Sequence, residues 1–347
     1  MATLSAHGRQ RVGTVNAVKQ TVRRARNLGL AAPQNPLTRA ELIIPPHFRQ
    51  YEMEPGNFSE FLLFDSITDE NRAPQDRVLI FGTPRNLDLL SRCNEIHADS
   101  TFDIAPPLFE QVYSIHGKIF GGTHPLLYAL LPNKRGDTYD YLFSRLKLIC
   151  RGFAPESIMT DFELGAIRSF SAAFPNAHLS GCFYHFCQSL FRKLTSRDVN
   201  LGGRYKDDAN FALHFKMITA LAFLPPEEVL DAFESLDQFI DPALEPILDH
   251  LEINYIGMRN RRGQGRRKPI YPINMWNIMI DISGLRKQQK VQDVLIEEQM
   301  AGVPPPKRRG VYQLTMERIK RLVLAHPDQQ KTLQDFLRAI AYNYVIE

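Results

Sequence analysis

Between residues 95 and 196 the apolar positions switch repeatedly between two periods. Alternation over 95–104 and 111–119, with Val112, Tyr113 and Ile115 in the second stretch, predicts two strands. The run Leu-Leu-Tyr-Ala-Leu-Leu at 126–131 predicts a third, ended by Pro132. Over 137–152, Tyr141, Leu142, Leu146, Ile149 and Cys150 recur at helical spacing, and Gly152 supplies a C-terminal stop. A short buried strand is predicted at 157–160, a helix at 163–174, a strand at 177–182 and a helix at 183–194. The order β-β-β-α-β-α-β-α predicts an α/β fold, in which an antiparallel meander continues into a mixed sheet with helices on its faces.

The flanks read differently. Residues 1–32 form a basic leader, and 33–90 a small N-terminal region punctuated by Pro33, Pro36, Pro45 and Pro46, with Thr38 as a capping candidate. Within it, 77–81 predicts a strand. The core is expected at 91–196, and a helical insertion at 197–275 that contains a basic loop at 255–268. Residues 276–347 are expected to be C-terminal helices, split by the segment Gly302 to Gly310 with its three prolines.

Composition narrows the class. The 347 residues are 44% hydrophobic and 23% charged, an ordinary globular balance that argues against wholesale disorder. No run of about 18 apolar residues occurs, so no membrane span is expected. The basic N-terminus has no apolar stretch of the secretory type. Four cysteines, Cys93, Cys150, Cys182 and Cys187, are too few for a disulfide scaffold and imply a reducing compartment.

The net charge of +4 conceals a strong asymmetry. Arg9, Arg11, Lys19, Arg23, Arg24 and Arg26 lie in the first 30 residues with no acid among them. Arg259, Arg261, Arg262, Arg266, Arg267 and Lys268 crowd the loop, again without an acid. Setting those twelve aside leaves 30 bases against 38 acids, so the body is acidic and the positive charge concentrated. Concentrated cations favour polyanions, because each neutralised phosphate releases a counterion. The same residues also read as a solvated tail and a solvated loop.

Two carboxylates stand out. Asp99 lies mid-strand in His97-Ala-Asp-Ser-Thr-Phe102, where His97, Asp99 and Thr101 share one face. On a core-facing side a carboxylate is expensive unless paired or metal-bound. Asp161, in Met159-Thr-Asp-Phe-Glu163, ends a short apolar strand, where ligands of open α/β sheets sit. If the two strands are neighbours, the carboxylates meet and form oxygen ligands for Mg²⁺ or Mn²⁺. The plainer readings are Asp161 as the N-cap of a helix starting at Phe162, and Asp99 as a turn residue. Cys182 and His185 have the spacing of two zinc ligands, but no second pair follows, and a packing or orienting role is the expectation. Trp276 reads as a core anchor, with base stacking as the alternative.

Taken in order, several stretches resemble the MULE transposase domain of Mutator-like DNA transposons. They are 97–102, Leu127-Tyr-Ala-Leu-Leu-Pro132, Asp137-Thr-Tyr-Asp-Tyr-Leu-Phe143, 159–163, Phe174-Pro and Gly181-Cys-Phe-Tyr-His-Phe-Cys-Gln188. Further along come Tyr255-Ile-Gly257 with its Arg-rich loop, Pro272-Ile-Asn-Met-Trp-Asn277 and Pro304-Pro-Pro-Lys-Arg-Arg309. The likeness spans about residues 90–345, and the predicted element order is also that of ribonuclease-H-like nucleases.

The resemblance implies a ribonuclease-H-like core with an Asp-Asp-Glu triad that cuts and joins DNA at transposon ends with Mg²⁺ or Mn²⁺. Asp99 and Asp161 would be the two aspartates and metal ligands, and Cys182 and His185 the family's C-x-x-H pair. DNA contact is expected from Arg259, Arg261, Arg262, Arg266, Arg267 and Lys268. Paired element ends imply a homo-oligomer, and the DNA substrate a nuclear location. One departure matters. The family follows its tryptophan segment with an Asn-Asn-x-x-Glu element that carries the third acid. Here the chain runs from Trp276 through Gly284 into Leu285-Arg-Lys, as though a segment were deleted near 284/285. Asp281, Glu297 and Glu298 lie nearby, outside that motif. The expectation is therefore either a transposase whose catalysis is impaired, a non-catalytic DNA-binding relic or domesticated relative, or a truncated form of an active enzyme.

Overall fold

The computed structural model describes residues 36–102, 104–279, 315, 318–323 and 332–346. The leader at 1–32, the junction near 284/285 and the acids Asp281, Glu297 and Glu298 lie outside them. The first described strands are β1 (Gln50–Glu54) and β2 (Asn57–Glu60), an antiparallel pair of their own. The main sheet uses β3 (Leu62–Asp65), β4 (Leu79–Phe81), β5 (Glu95–Thr101), β6 (Gln111–Ile119), β7 (Gly122–Leu131), β8 (Ser157–Thr160) and β9 (His178–Gly181). Helix α1 (Pro84–Ser91) precedes β5, α2 (Gly136–Ile149) follows β7, α3 (Leu164–Ala173) links β8 to β9, and α4 (Phe183–Thr195) leaves β9. The spatial order is β3-β4-β7-β6-β5-β8-β9. The β5–β8 and β8–β9 ladders are parallel and the others antiparallel.

From β5 to α4 the observed order is the β-β-β-α-β-α-β-α predicted from periodicity, in a mixed α/β architecture. Two details differ. The segment before residue 91 adds β3 and β4 to the sheet, with β4 antiparallel to β7 and β3 antiparallel to β4 at the edge. Only the strand at 77–81 was legible there, because three- and four-residue strands carry too little alternation to be read. The strand expected to reach residue 104 ends at Thr101.

One face of the sheet is dry. Ile96 and Ala98 of β5, Tyr113 and Ile115 of β6, and Leu127 and Ala129 of β7 are buried there. Helices α2 and α3 cover this face, since Tyr139, Leu142, Phe143 and Leu146 recur every three or four residues and meet Ala166 and Phe170. The Phe143 and Phe170 rings stack at 4.0 Å between centroids.

A second core lies in the helices after β9. These are α4, α5 (Gly202–Asp207), α6 (Ala209–Thr219), α7 (Val229–Ser235), α8 (Glu245–Leu251), α9 (Ile273–Trp276) and, late in the chain, α10 (Leu333–Ala341). Phe186, Leu190 and Leu194 project from one side of α4 into it and meet Phe215, Leu251 and Leu337. Phe186 lies flat on Trp276, with centroids 5.0 Å apart and planes 6° from parallel. The Trp276 indole N–H donates to the Tyr255 carbonyl at 3.1 Å. Trp276 is 1% exposed, so it is the core anchor of its segment and not a surface for stacking bases. Phe186→Ala should open a cavity at the centre of this core. The expected cost is about 3–5 kcal/mol in urea denaturation, and a cost under about 1 kcal/mol would contradict the packing.

Candidate functional site

The parallel ladder between β5 and β8 runs in register from Glu95 opposite Ser157 to Ala98 opposite Thr160. The next pair in that register is Asp99 and Asp161. Neighbouring strands stand about 4.8 Å apart, and Asp99 lies near enough to Asp161 to add to the burial that raises its carboxyl. Asp99 does not face the dry core, as the sequence reading supposed. Alternation sends Ile96 and Ala98 into the core and His97 and Asp99 to the opposite face. The Asp99 side chain is 47% exposed there, yet its Oδ1 is buried and has no hydrogen-bond partner.

Asp161 sits one residue beyond β8 and just before α3. Its Oδ1 accepts the Glu163 N–H at 3.1 Å, a local turn that lets the helix begin at Leu164. Asp161 is therefore not the N-cap of a helix starting at Phe162: Glu163 is the N-cap residue, and the Asp161 carboxylate closes the turn just before it. Burial pushes the Asp161 carboxyl above its usual range; the Glu163 N–H and His185 offset this in part, while Asp99 adds to it. Glu163 is also pushed up by burial, and Lys134 lies 3.8 Å from it.

Cys182 is the N-cap residue of α4, and His185 lies one turn in, on the same side. The His185 Nε2 is 3.5 Å from the Asp99 Oδ1. Burial alone would raise the Cys182 thiol, but His185 outweighs it and the net shift is downward. The adjacent Cys182 in turn holds the His185 imidazole above its usual value. Cys187 is different: it is sealed in the helical core, and burial keeps it a thiol. Among the described residues, no three His, Cys, Asp or Glu side chains gather as a metal cage.

Sequence reasoning missed a row of polar groups on β6. Ser114 stands opposite Asp99, and His116 opposite His97. The Ser114 hydroxyl donates to the Asp99 carbonyl at 3.3 Å, and His116 lies 3.0 Å from Ser114. The signal was available, because Ser114, His116 and Lys118 alternate with Tyr113, Ile115 and Gly117 along the strand.

Residues 96–189 match the MULE transposase domain. The match runs from β5 into α4 and so contains Asp99, Asp161, Cys182 and His185. It ties this segment to transposase-related function, and the resemblance read from the sequence holds for it. No curated protein sequence matches the chain.

The transposase segment is fastened to the helices beyond it by Phe162, the neighbour of Asp161. Its ring meets Tyr271 and Tyr255 edge-on at centroid distances of 5.0 and 5.5 Å. The Tyr271 hydroxyl donates to the Phe162 carbonyl at 2.7 Å. Gly181, at the end of β9, leaves room for the ring, since a Cβ there would lie 2.4 Å from Phe162 Cζ.

Tyr255 and Tyr271 bracket the basic loop. A π-helix at Glu252–Ile256 ends at Gly257, whose φ of 96° favours glycine and whose Cβ would fall 1.9 Å from the Arg267 carbonyl oxygen. A bridge pairs Arg259 with Arg266 across the loop. The six cations divide into two sets. Arg266 is 12% exposed and held by Glu252 at 2.5 Å and Glu234 at 3.0 Å, and it also donates to the Gly257 carbonyl at 2.7 Å. Arg259 pairs with Glu234 at 2.8 Å. Arg261, Arg262, Arg267 and Lys268 are exposed. Among the described residues, no carboxylate pairs with them.

Two outcomes are expected. Gly181→Ala should cost about 1–3 kcal/mol in denaturation as Phe162 is displaced, whereas Gly203→Ala, on open α5, should be neutral or slightly stabilising. Asp161→Asn should melt higher than the parent at pH 7 without added metal. A carboxyl raised by burial disfavours the folded state once it is ionised in the unfolded chain. The difference should therefore open as pH rises from the ordinary carboxylate range through the raised value, and close below about pH 4. An Asp161→Asn variant less stable at neutral pH than the parent would contradict this.

Proposed function

We propose that this chain is a MULE-transposase-derived DNA-binding protein with a ribonuclease-H-like core, in which Asp99 and Asp161 form a divalent-cation site of the phosphoryl-transfer type. One observation carries the reading: two carboxylates follow the end of one parallel ladder closely enough that Asp99 adds to the burial that raises Asp161, and Asp99 has a buried oxygen with no hydrogen bond, only the His185 Nε2 at 3.5 Å. The donor set suits Mg²⁺ or Mn²⁺, which take hard oxygen ligands. Such a cation, when bound, lowers the charge barrier to attack on a phosphodiester. The protein's own part is geometric and electrostatic. The ladder fixes the spacing of the two acids, the Glu163 N–H orients Asp161, and His185 stands against Asp99. The exposed cations of the 255–268 loop contribute attraction for the DNA backbone.

Strand cleavage and transfer are impaired in this reading. Transition-state charge stabilisation is the largest single catalytic term, and no acid of this chain occupies the family's glutamate motif. Pairing of transposon ends by a homo-oligomer, and a nuclear location, follow from the DNA substrate. No helix among the described residues is long and apolar enough to cross a membrane.

Calorimetric titration with Mn²⁺ tests the reading. At ten times its dissociation constant a bound ion adds about 1.4 kcal/mol of stability, so the parent should bind Mn²⁺ and melt higher with it. Asp99→Asn and Asp161→Asn should each lose both effects while remaining folded. Equal Mn²⁺ binding by the parent and both variants would remove the cation site. Efficient Mn²⁺-dependent nicking of plasmid by the parent, lost in Asp99→Asn, would instead overturn the impairment.

A further inference from the structure

The loop at 257–268 is built as a tethered hairpin, with a different task for each set of its cations. Its two ends are held. Gly257 makes the turn out of the π-helix, and the Arg267 N–H donates to the Met258 carbonyl at 2.8 Å. Arg266 ties the returning arm to Glu252 and Glu234 on the helical body, and Arg259 ties the outgoing arm to Glu234. Between them, Asn260 and Gln264 close the tip, since the Asn260 amide donates to the Gln264 carbonyl at 3.1 Å. Gly263 and Gly265 take positive φ values of 91° and 88° there. Two cations are thus spent on the protein's own carboxylates, and four remain exposed.

We infer that Arg261, Arg262, Arg267 and Lys268 grip the phosphate backbone of duplex DNA, while Arg259 and Arg266 hold the hairpin in place and contact no DNA. The inference rests on the DNA-binding reading above and deepens it by assigning the contact. Four observations support it. The hairpin carries four exposed positive charges, two at its tip and two at its returning end, with no carboxylate among its own residues, on a chain that outside this loop and the basic leader has 30 bases against 38 acids. Arginine forks fit phosphate oxygens, and a set of exposed cations left without partners is the electrostatic footprint of a polyanion site. The tether fixes the hairpin before binding, so little ordering entropy is lost on contact. The hairpin also springs from Tyr255 and Tyr271, the residues that enclose Phe162 beside Asp161. At about 3.3 Å per residue, the six residues from Gly257 to the tip allow a stand-off of at most about 20 Å.

The experiment is binding of the full chain to a 30-base-pair duplex, followed by fluorescence anisotropy across a series of NaCl concentrations. Each phosphate contact contributes about 0.9 to the slope of log affinity against log salt. The variant R261A/R262A/R267A/K268A should therefore have a slope shallower by about 3–4, with an unchanged melting temperature. R261K/R262K/R267K should keep the parent slope, because charge and not fork geometry sets it. Arg266→Ala should melt lower and change the slope by less than about 1. A quadruple alanine variant that melts like the parent and keeps its slope would overturn the inference. So would Arg266→Ala losing as much slope as the quadruple variant. Asp99→Asn with Asp161→Asn should leave the slope intact. If those aspartate variants bind Mn²⁺ like the parent while the hairpin variant loses slope, the cation-site reading fails and the hairpin assignment stands.

Discussion

Two carboxylates that follow the end of one parallel ladder are the constraint on which this site turns. Asp99 and Asp161 follow the last pair of the β5–β8 ladder, and Asp99 adds to the burial that makes the Asp161 carboxyl harder to ionise. Nothing local favours that arrangement, so the surroundings must hold it. The ladder fixes one coordinate. The Glu163 N–H fixes the Asp161 side chain, and His185 offers Asp99 a partner from a different element. In the proposed reading a divalent cation would turn the mutual repulsion into shared attraction.

The same strand end joins the two cores. Phe162 follows Asp161 directly and is enclosed by Tyr255 and Tyr271 of the helical part, in space that Gly181 leaves free. Sheet and helices therefore meet one residue from the carboxylates. The hairpin that carries the exposed cations starts and ends at the same two tyrosines. The candidate chemistry and the candidate DNA contact share one aromatic anchor, so a change at Phe162 is transmitted to both.

Much of the central fold was legible because its elements are long or strongly periodic. The alternation of β6 and the three-to-four spacing of α2 leave little choice of element. The side of the sheet to which Asp99 points was not legible. A period of two separates His97 and Asp99 from Ile96 and Ala98, but covering helices decide which face is dry, and α2 and α3 come later in the chain. Strands β3 and β4 were too short to be read in full, and they depend on long-range pairing, β4 with β7 and β3 with β4. The cationic loop was visible as charge alone. That Arg266 is an internal strut follows from Glu234 and Glu252, 32 and 14 residues away. Cys182 and His185 were legible as a spaced pair, but only folding brings His185 against an aspartate some 80 residues earlier in the chain.

The most direct test of the paired-carboxylate account is a crystal of this protein soaked in Mn²⁺, with data collected at the manganese absorption edge. The account predicts an anomalous peak bridging the Asp99 and Asp161 carboxylates. A peak at Cys182 and His185 instead, or none between the aspartates at saturating Mn²⁺, would contradict it.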